Sequence, residues 1–180
     1  MCLETERLIL RPWREDDARE LFRYASDPDV GPAAGWPAHT SVENSREIIK
    51  NVLSREGTYA IVLKETGLPV GSIGIMHNAN IPTADNEAEI GYWIGKPLWG
   101  RGLVPEAVEE ALRCCFEELG YERVWCAYYE GNDKSRRVQE KCGFEFARRE
   151  ENRPCSMLDE YRNEIVNVIS RESWQERKKL

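Results

Sequence analysis

The chain has two histidines and no pair of cysteines spaced two residues apart. Its six cysteines, Cys2, Cys114, Cys115, Cys126, Cys142 and Cys155, lie far in sequence from His39 and His77. No metal site is expected from such spacing. Long apolar runs are also missing. Nothing approaches the roughly 20 consecutive apolar residues of a spanning helix, and no leader-like stretch opens the chain. The expectation is a reduced, cytoplasmic protein with no membrane partner. An excess of positive charge is absent too: 25 Lys and Arg stand against 32 Asp and Glu, for a net charge of −7. That excludes a broad basic face for nucleic acid and is more compatible with cationic amine acceptors. A Walker loop is missing, and Pro105 stands where a dinucleotide fingerprint beginning at Gly100 would need glycine. With 180 residues, no repeat and no linker, the chain fits one domain, and the tail 175–180 is expected to fray.

What is present is organised around Trp99-Gly100-Arg101-Gly102-Leu103-Val104-Pro105-Glu106 and the helix that follows. Ala107, Val108, Ala111, Leu112, Cys115, Phe116 and Leu119 keep the spacing of one buried helical face. Pro105 suits a first helical turn, and Gly120 suits a stop. Backbone N–H groups at a helix start, with glycines in front and Arg101 beside them, make an anion site. A phosphate-bearing ligand is therefore expected on Gly100 to Val104.

In chain order, Arg7–Trp13 reads as a strand with Leu8 and Leu10 on one side. A helix follows with Asp16 or Asp17 as cap. Asp27–His39 is a loop containing Trp36, as compatible with lining a pocket as with pinning a turn. Thr40 and Glu43 form a capping box for the next helix. Two strands, 58–64 and 69–76, make a hairpin. The strand 87–95, the glycine turn, the long helix and the strand 123–129 form a βαβ unit, which should be parallel and right-handed. Asn132–Cys142 is a short helix, the last strands start at Phe144 and Glu164, and Arg171 to Leu180 is polar.

The strand, arm, glycine turn and helix resemble the acyl-CoA-binding motif of the GNAT N-acetyltransferases, Gln/Arg-x-x-Gly-x-Gly/Ala. Trp99 and Val104 depart from it, and Gly102 keeps it. The opening Thr-x-Arg-Leu-x-Leu-Arg-Pro and the run Glu-Ile-Gly-Tyr-Trp-Ile…Trp-Gly-Arg-Gly…Glu-Ala resemble the RimJ/RimL-like branch of that family. The segment Asn132–Phe144 resembles its Asn-x-x-Ser/Ala…Glu-Lys-x-Gly-Phe signature.

This resemblance implies an α/β fold in one domain over residues 1–174. Its mixed sheet of six to seven strands would splay between 87–95 and 123–129. It implies acetyl-CoA as cosubstrate, held by Trp93, Ile94, Trp99, Gly100, Arg101, Gly102, Leu103, Val104, Asn132, Ser135 and Arg137. The N–H near Trp93 or Ile94 would face the developing oxyanion. Many family members carry a tyrosine acid where this chain has Gln139, which has no useful proton to give. Ser135 is then the acid for the thiolate, with Tyr128 and Tyr129 in reserve. Glu89 is the candidate base, with Glu87 as its spare. Lys134, Arg136 and Arg137 are candidates for the CoA 3′-phosphate. The acceptor would be a protein N-terminal amine or a small amine, and the protein a monomer or homodimer. A non-catalytic acyl-CoA-binding module is the alternative, motivated by Gln139; a nucleotide-binding protein is weaker still.

Overall fold

Alternation builds the first strands. In β2 (Leu8–Arg11), Leu8 and Leu10 are fully buried while Ile9 and Arg11 are not, as period-two geometry requires. β3 (Thr58–Leu63) pairs antiparallel with β2 and with β4 (Leu68–Met76), giving the expected hairpin. β5 (Glu87–Ile94), β6 (Arg123–Tyr129), β7 (Glu145–Cys155) and β8 (Glu160–Ser170) follow. The computed structural model describes Cys2 to Lys179. Its sheet is mixed and has eight strands in the order β1-β2-β3-β4-β5-β6-β8-β7. The strand beyond the expected six or seven is β1 (Leu3–Glu4), whose two residues are too few to show an alternation. Among the described residues, no helix is long and apolar enough to cross a membrane.

The chain packs as two compact units, residues 1–74 with 92–107, and residues 75–91 with 108–180. In the first, α1 (Ala18–Ala25) and α3 (Val42–Ile48) cover the sheet. Trp13, Ala18, Leu21, Ala25, Ile49, Ala60 and Val62 form a buried cluster, with Trp36 and Trp93 packed against it. Leu21, Ile49 and Val62 each contribute about 1.5–3 kcal/mol by burial. The Trp13 indole is satisfied inside this core, donating to Ser72 Oγ at 3.1 Å. α3 is capped one residue later than the sequence predicts. Ser41 Oγ accepts from the Asn44 N–H, and Asn44 Oδ1 accepts from the Thr40 N–H, so Thr40 and Glu43 are not the capping pair. The 27–39 loop holds a short helix, α2 (Gly31–Ala34).

In the second unit, β5 and β6 run parallel, and β6 pairs antiparallel with β8 along its whole length. β7 and β8 form a long bulged hairpin, well beyond the short strands read from sequence, because its charged outer half shows no apolar period. α4 (Leu103–Arg113) passes into this unit with Val108, Ala111 and Leu112 buried, and its end widens into a π turn over Cys114–Glu118. α5 (Asp133–Lys141) follows β6. The tail expected to fray from 175 is helical through Arg177 as α6 (Arg171–Arg177). Trp174 anchors it, 2% exposed, with its ring 5.3 Å from that of Phe116. Leu180 lies outside the described residues.

Candidate active site

The glycine turn lies in the first unit, directly before α4. Gly100 and Gly102 sit at φ +77° and +74°, a region that costs an L-residue about 1–2 kcal/mol. A Cβ on Gly100 would meet nothing within 4 Å, and one on Gly102 only the Arg7 guanidinium at 3.6 Å. The backbone there is thus approachable by a bulky anion. α4 begins at Leu103, and the first N–H groups of any α-helix lack intrahelical acceptors. Leu103 and Val104 are buried, while Gly100, Arg101 and Gly102 are exposed. These residues fit a pyrophosphate.

A carboxylate at such a helix start would compete with that anion. Glu106 is neutralised instead. Its Oε1 accepts from Thr5 Oγ1 and from the Arg7 N–H, and its Oε2 from Arg7 Nε at 2.6 Å. Burial raises its pKa, but these donors outweigh burial and hold the carboxyl below the usual range. Arg7 also donates to the Arg101 carbonyl at 3.0 Å, fastening the turn. Arg7 is a site residue that the sequence reading left in a strand. Its signal was the Thr5-x-Arg7 pair in the opening motif.

Trp99 takes a bracing position. Its indole N–H donates to the Ile94 carbonyl at 3.0 Å, tying the turn to the end of β5. Ile94 is buried and Trp93 half-buried, the latter 5.5 Å from Trp36 in an edge-on contact. The 27–39 loop therefore brings an aromatic wall to Trp93. Gly71 permits the close approach of β4 here, since a Cβ would fall 2.3 Å from the Trp93 carbonyl. In the second unit the parallel β5–β6 ladder holds, among the described residues, the pairs Glu87↔Arg123, Ala88↔Val124 and Glu89↔Trp125. Ile90 and Gly91 lie past its end, as a splayed pair requires.

At the start of α5, Asn132 Oδ1 accepts from the Ser135 N–H at 3.2 Å. Ser135 Oγ lies 3.4 Å from Gln139 Nε2. Gln139, read from sequence as a vacant position, is completely buried and bonded to Ala127, Ser135 and Asn167. Arg136 is engaged within its helix by Asp133 and Glu140. Arg137 and Lys134 are exposed on the same helix.

Glu89 is 3% exposed. Its carboxylate accepts from the N–H groups of Asn80 and Ile81 at 2.9 Å each, and from Asn80 Nδ2 at 3.0 Å. It anchors the 77–86 loop. Glu87 is committed as well, accepting from Trp125 Nε1 at 2.8 Å and pairing with Arg123. Burial raises its pKa, yet Trp125, the Ala84 N–H and Arg123 together bring it below the usual range. Tyr129 donates to Cys155 Sγ, and burial pushes its pKa to about 12. Tyr128 is also pushed up by burial. Glu164 went unnoticed in the sequence, although it directly precedes the pair Ile165 and Val166. Burial raises its carboxyl, against the attraction of Arg153.

The predicted residues thus fall into three groups: Trp93 to Val104 around the turn, Asn132, Ser135 and Gln139 on α5, and Glu89 under its loop. Known proteins share the family and the fold. The acetyltransferase (GNAT) domain model matches residues 7–145. The uncharacterized N-acetyltransferase p20 of Bacillus licheniformis is 36% identical over 127 residues, covering 68% of this chain and 70% of that protein. A GNAT-family acetyltransferase from Bacillus anthracis superposes with a TM-score of 0.83 at 23% identity, covering 96% of this chain and 99% of that one. Mycobacterium smegmatis RimJ, solved in complex with CoA-disulfide, gives 0.77 at 21% identity, with 96% and 88% covered. The class is an α/β acyltransferase. The chain belongs to the GNAT family and is an acetyltransferase of it.

Proposed function

We propose that the protein moves an acetyl group from acetyl-CoA to a primary amine by direct attack in a ternary complex. The carrying observation is the open glycine turn at the start of α4, with Glu106 neutralised by Arg7. Acetyl-CoA supplies an activated acetyl thioester. The N–H groups of Arg101 to Val104 hold its pyrophosphate. Trp99 holds the turn against β5, and Arg137 with Lys134 meets the 3′-phosphate. The backbone at Trp93 and Ile94 stabilises charge on the thioester oxygen.

Ser135 gives its proton to the departing sulfur, and Asn132 holds the first turn on which Ser135 sits. Tyr129 is a poor substitute, since its proton is engaged with Cys155 and its pKa is raised. Glu89 uses three of about four carboxylate lone-pair sites to hold its loop, and takes the amine proton through a water at the fourth. An α-amine titrates near 7.7–8 and a lysine near 10.4, so an N-terminal amine needs less from that base. The preferred acceptor is an α-amine of a protein or a small molecule.

Thiol release from acetyl-CoA is the test, run with a panel of small amines and N-terminal peptides. Turnover with at least one α-amine is expected. Tight CoA binding by calorimetry with no release for any amine would replace the enzyme by a binding module.

A further inference from the structure

We infer that Gln139 is a positioning residue, which turns the Ser135 hydroxyl into a proton donor whose hydrogen points away from Gln139. This rests on the acid role proposed for Ser135. Gln139 is completely buried, and three groups surround its amide. The Ala127 carbonyl lies 3.2 Å from one terminal atom. A carbonyl only accepts, so that atom must be the nitrogen. The other atom is then the oxygen, and Asn167 Nδ2 donates to it at 2.8 Å. The amide orientation thus follows from its partners' chemistry.

The consequence falls on Ser135. The second hydrogen of Gln139 Nε2 faces Ser135 Oγ at 3.4 Å, so the hydroxyl accepts on that side. Its own hydrogen must point elsewhere. A general acid needs that arrangement, whereas an apolar residue at 139 would remove this donor to the hydroxyl. The relay begins on β8, where Asn167 stands opposite Cys126 in register, between Val166 and Val168. Neither Gln139 nor Asn167 exchanges a proton. They orient the residue that does.

A double-mutant cycle tests this, with Ser135→Ala, Gln139→Leu and the double variant beside the wild type. The readouts are kcat, the acetyl-CoA KM and the thermal midpoint, using the best amine of the panel. Gln139→Leu should lower kcat about three- to tenfold, a fraction of the roughly 10²–10⁴ that a general acid contributes, with KM unchanged. In the Ser135→Ala background the same substitution should have no further effect on kcat. Equal fold losses in both backgrounds would make Gln139 a packing residue and overturn the inference. Full activity in Ser135→Ala would remove the acid reading itself. A large loss in Ser135→Ala beside wild-type kcat in Gln139→Leu would remove only the positioning role. If Gln139→Leu does not fold, Asn167→Ala runs the same cycle, with a smaller kcat loss expected and the same additive outcome fatal.

Discussion

Two helix starts carry the proposed chemistry, and they are built oppositely. At α5 the chain supplies its own cap: Asn132 accepts from the Ser135 N–H, and Gln139 is satisfied from three sides. At α4 the residue before the helix is Gly102, which has no side chain to cap with, and the nearest acid is neutralised by Arg7. A helix end that satisfies itself is fit to hold a side chain in one orientation. An end without its own cap is fit to bind an external anion. The difference separates precise positioning from ligand holding within one chain.

The comparison can be broken at either end. The largest effect is expected at the self-capped end. Ser135→Ala should lower kcat about tenfold to a hundredfold with little change in acetyl-CoA affinity. A loss confined to KM would reduce Ser135 to a cofactor contact, and a large loss in Tyr128→Phe with none in Ser135→Ala would move the acid to β6.

Gly102→Asp comes next. It adds a negative charge and an L-residue at φ +74°, and should weaken acetyl-CoA binding by about tenfold or more in calorimetry. Unchanged affinity in a folded variant would take the pyrophosphate away from this turn.

Asn132→Ala removes a cap and should cost about 1 kcal/mol of stability, read by denaturant unfolding. No destabilisation would mean that the α5 start is held by packing alone.

The smallest effect is on pH dependence. The Glu106 carboxyl is held below its unfolded range, so it contributes stability that is fully present above the usual carboxylate pKa. That contribution is lost as pH falls through the lowered folded value. Glu106→Gln should therefore flatten the acid limb of the stability profile and leave the neutral region with only a constant offset. An unchanged acid limb would show that Arg7 and Thr5 do not discriminate its two protonation states.

Much of the fold was legible because its signals are local. The periodicity of Ala107 to Phe116, the alternation at Leu8 and Leu10, and the glycines at 100 and 102 each reflect constraints within a few residues. The parallel βαβ unit followed from connection length and handedness. β1 was too short to see. The outer half of the β7–β8 hairpin carries charges on both faces, so no period marked it. The tail beyond Arg171 looked polar because one tryptophan, Trp174, carries its burial.

The sequence by itself determined the family, the uncapped glycine turn at the start of α4, and the residue types available for proton transfer. Only the tertiary structure decided what partners those residues have. Glu87 and Glu89 look like equivalent strand carboxylates until Trp125 and the Asn80–Ile81 backbone claim them. Gln139 looks like a lost tyrosine until Ala127 and Asn167 orient its amide. Arg7 becomes part of the turn only when β2 brings it beside Glu106, 99 positions away in sequence. Such partnerships join residues that are distant in sequence, and a buried polar group must find its hydrogen-bond partner wherever the fold puts one. Local pattern has no access to that choice.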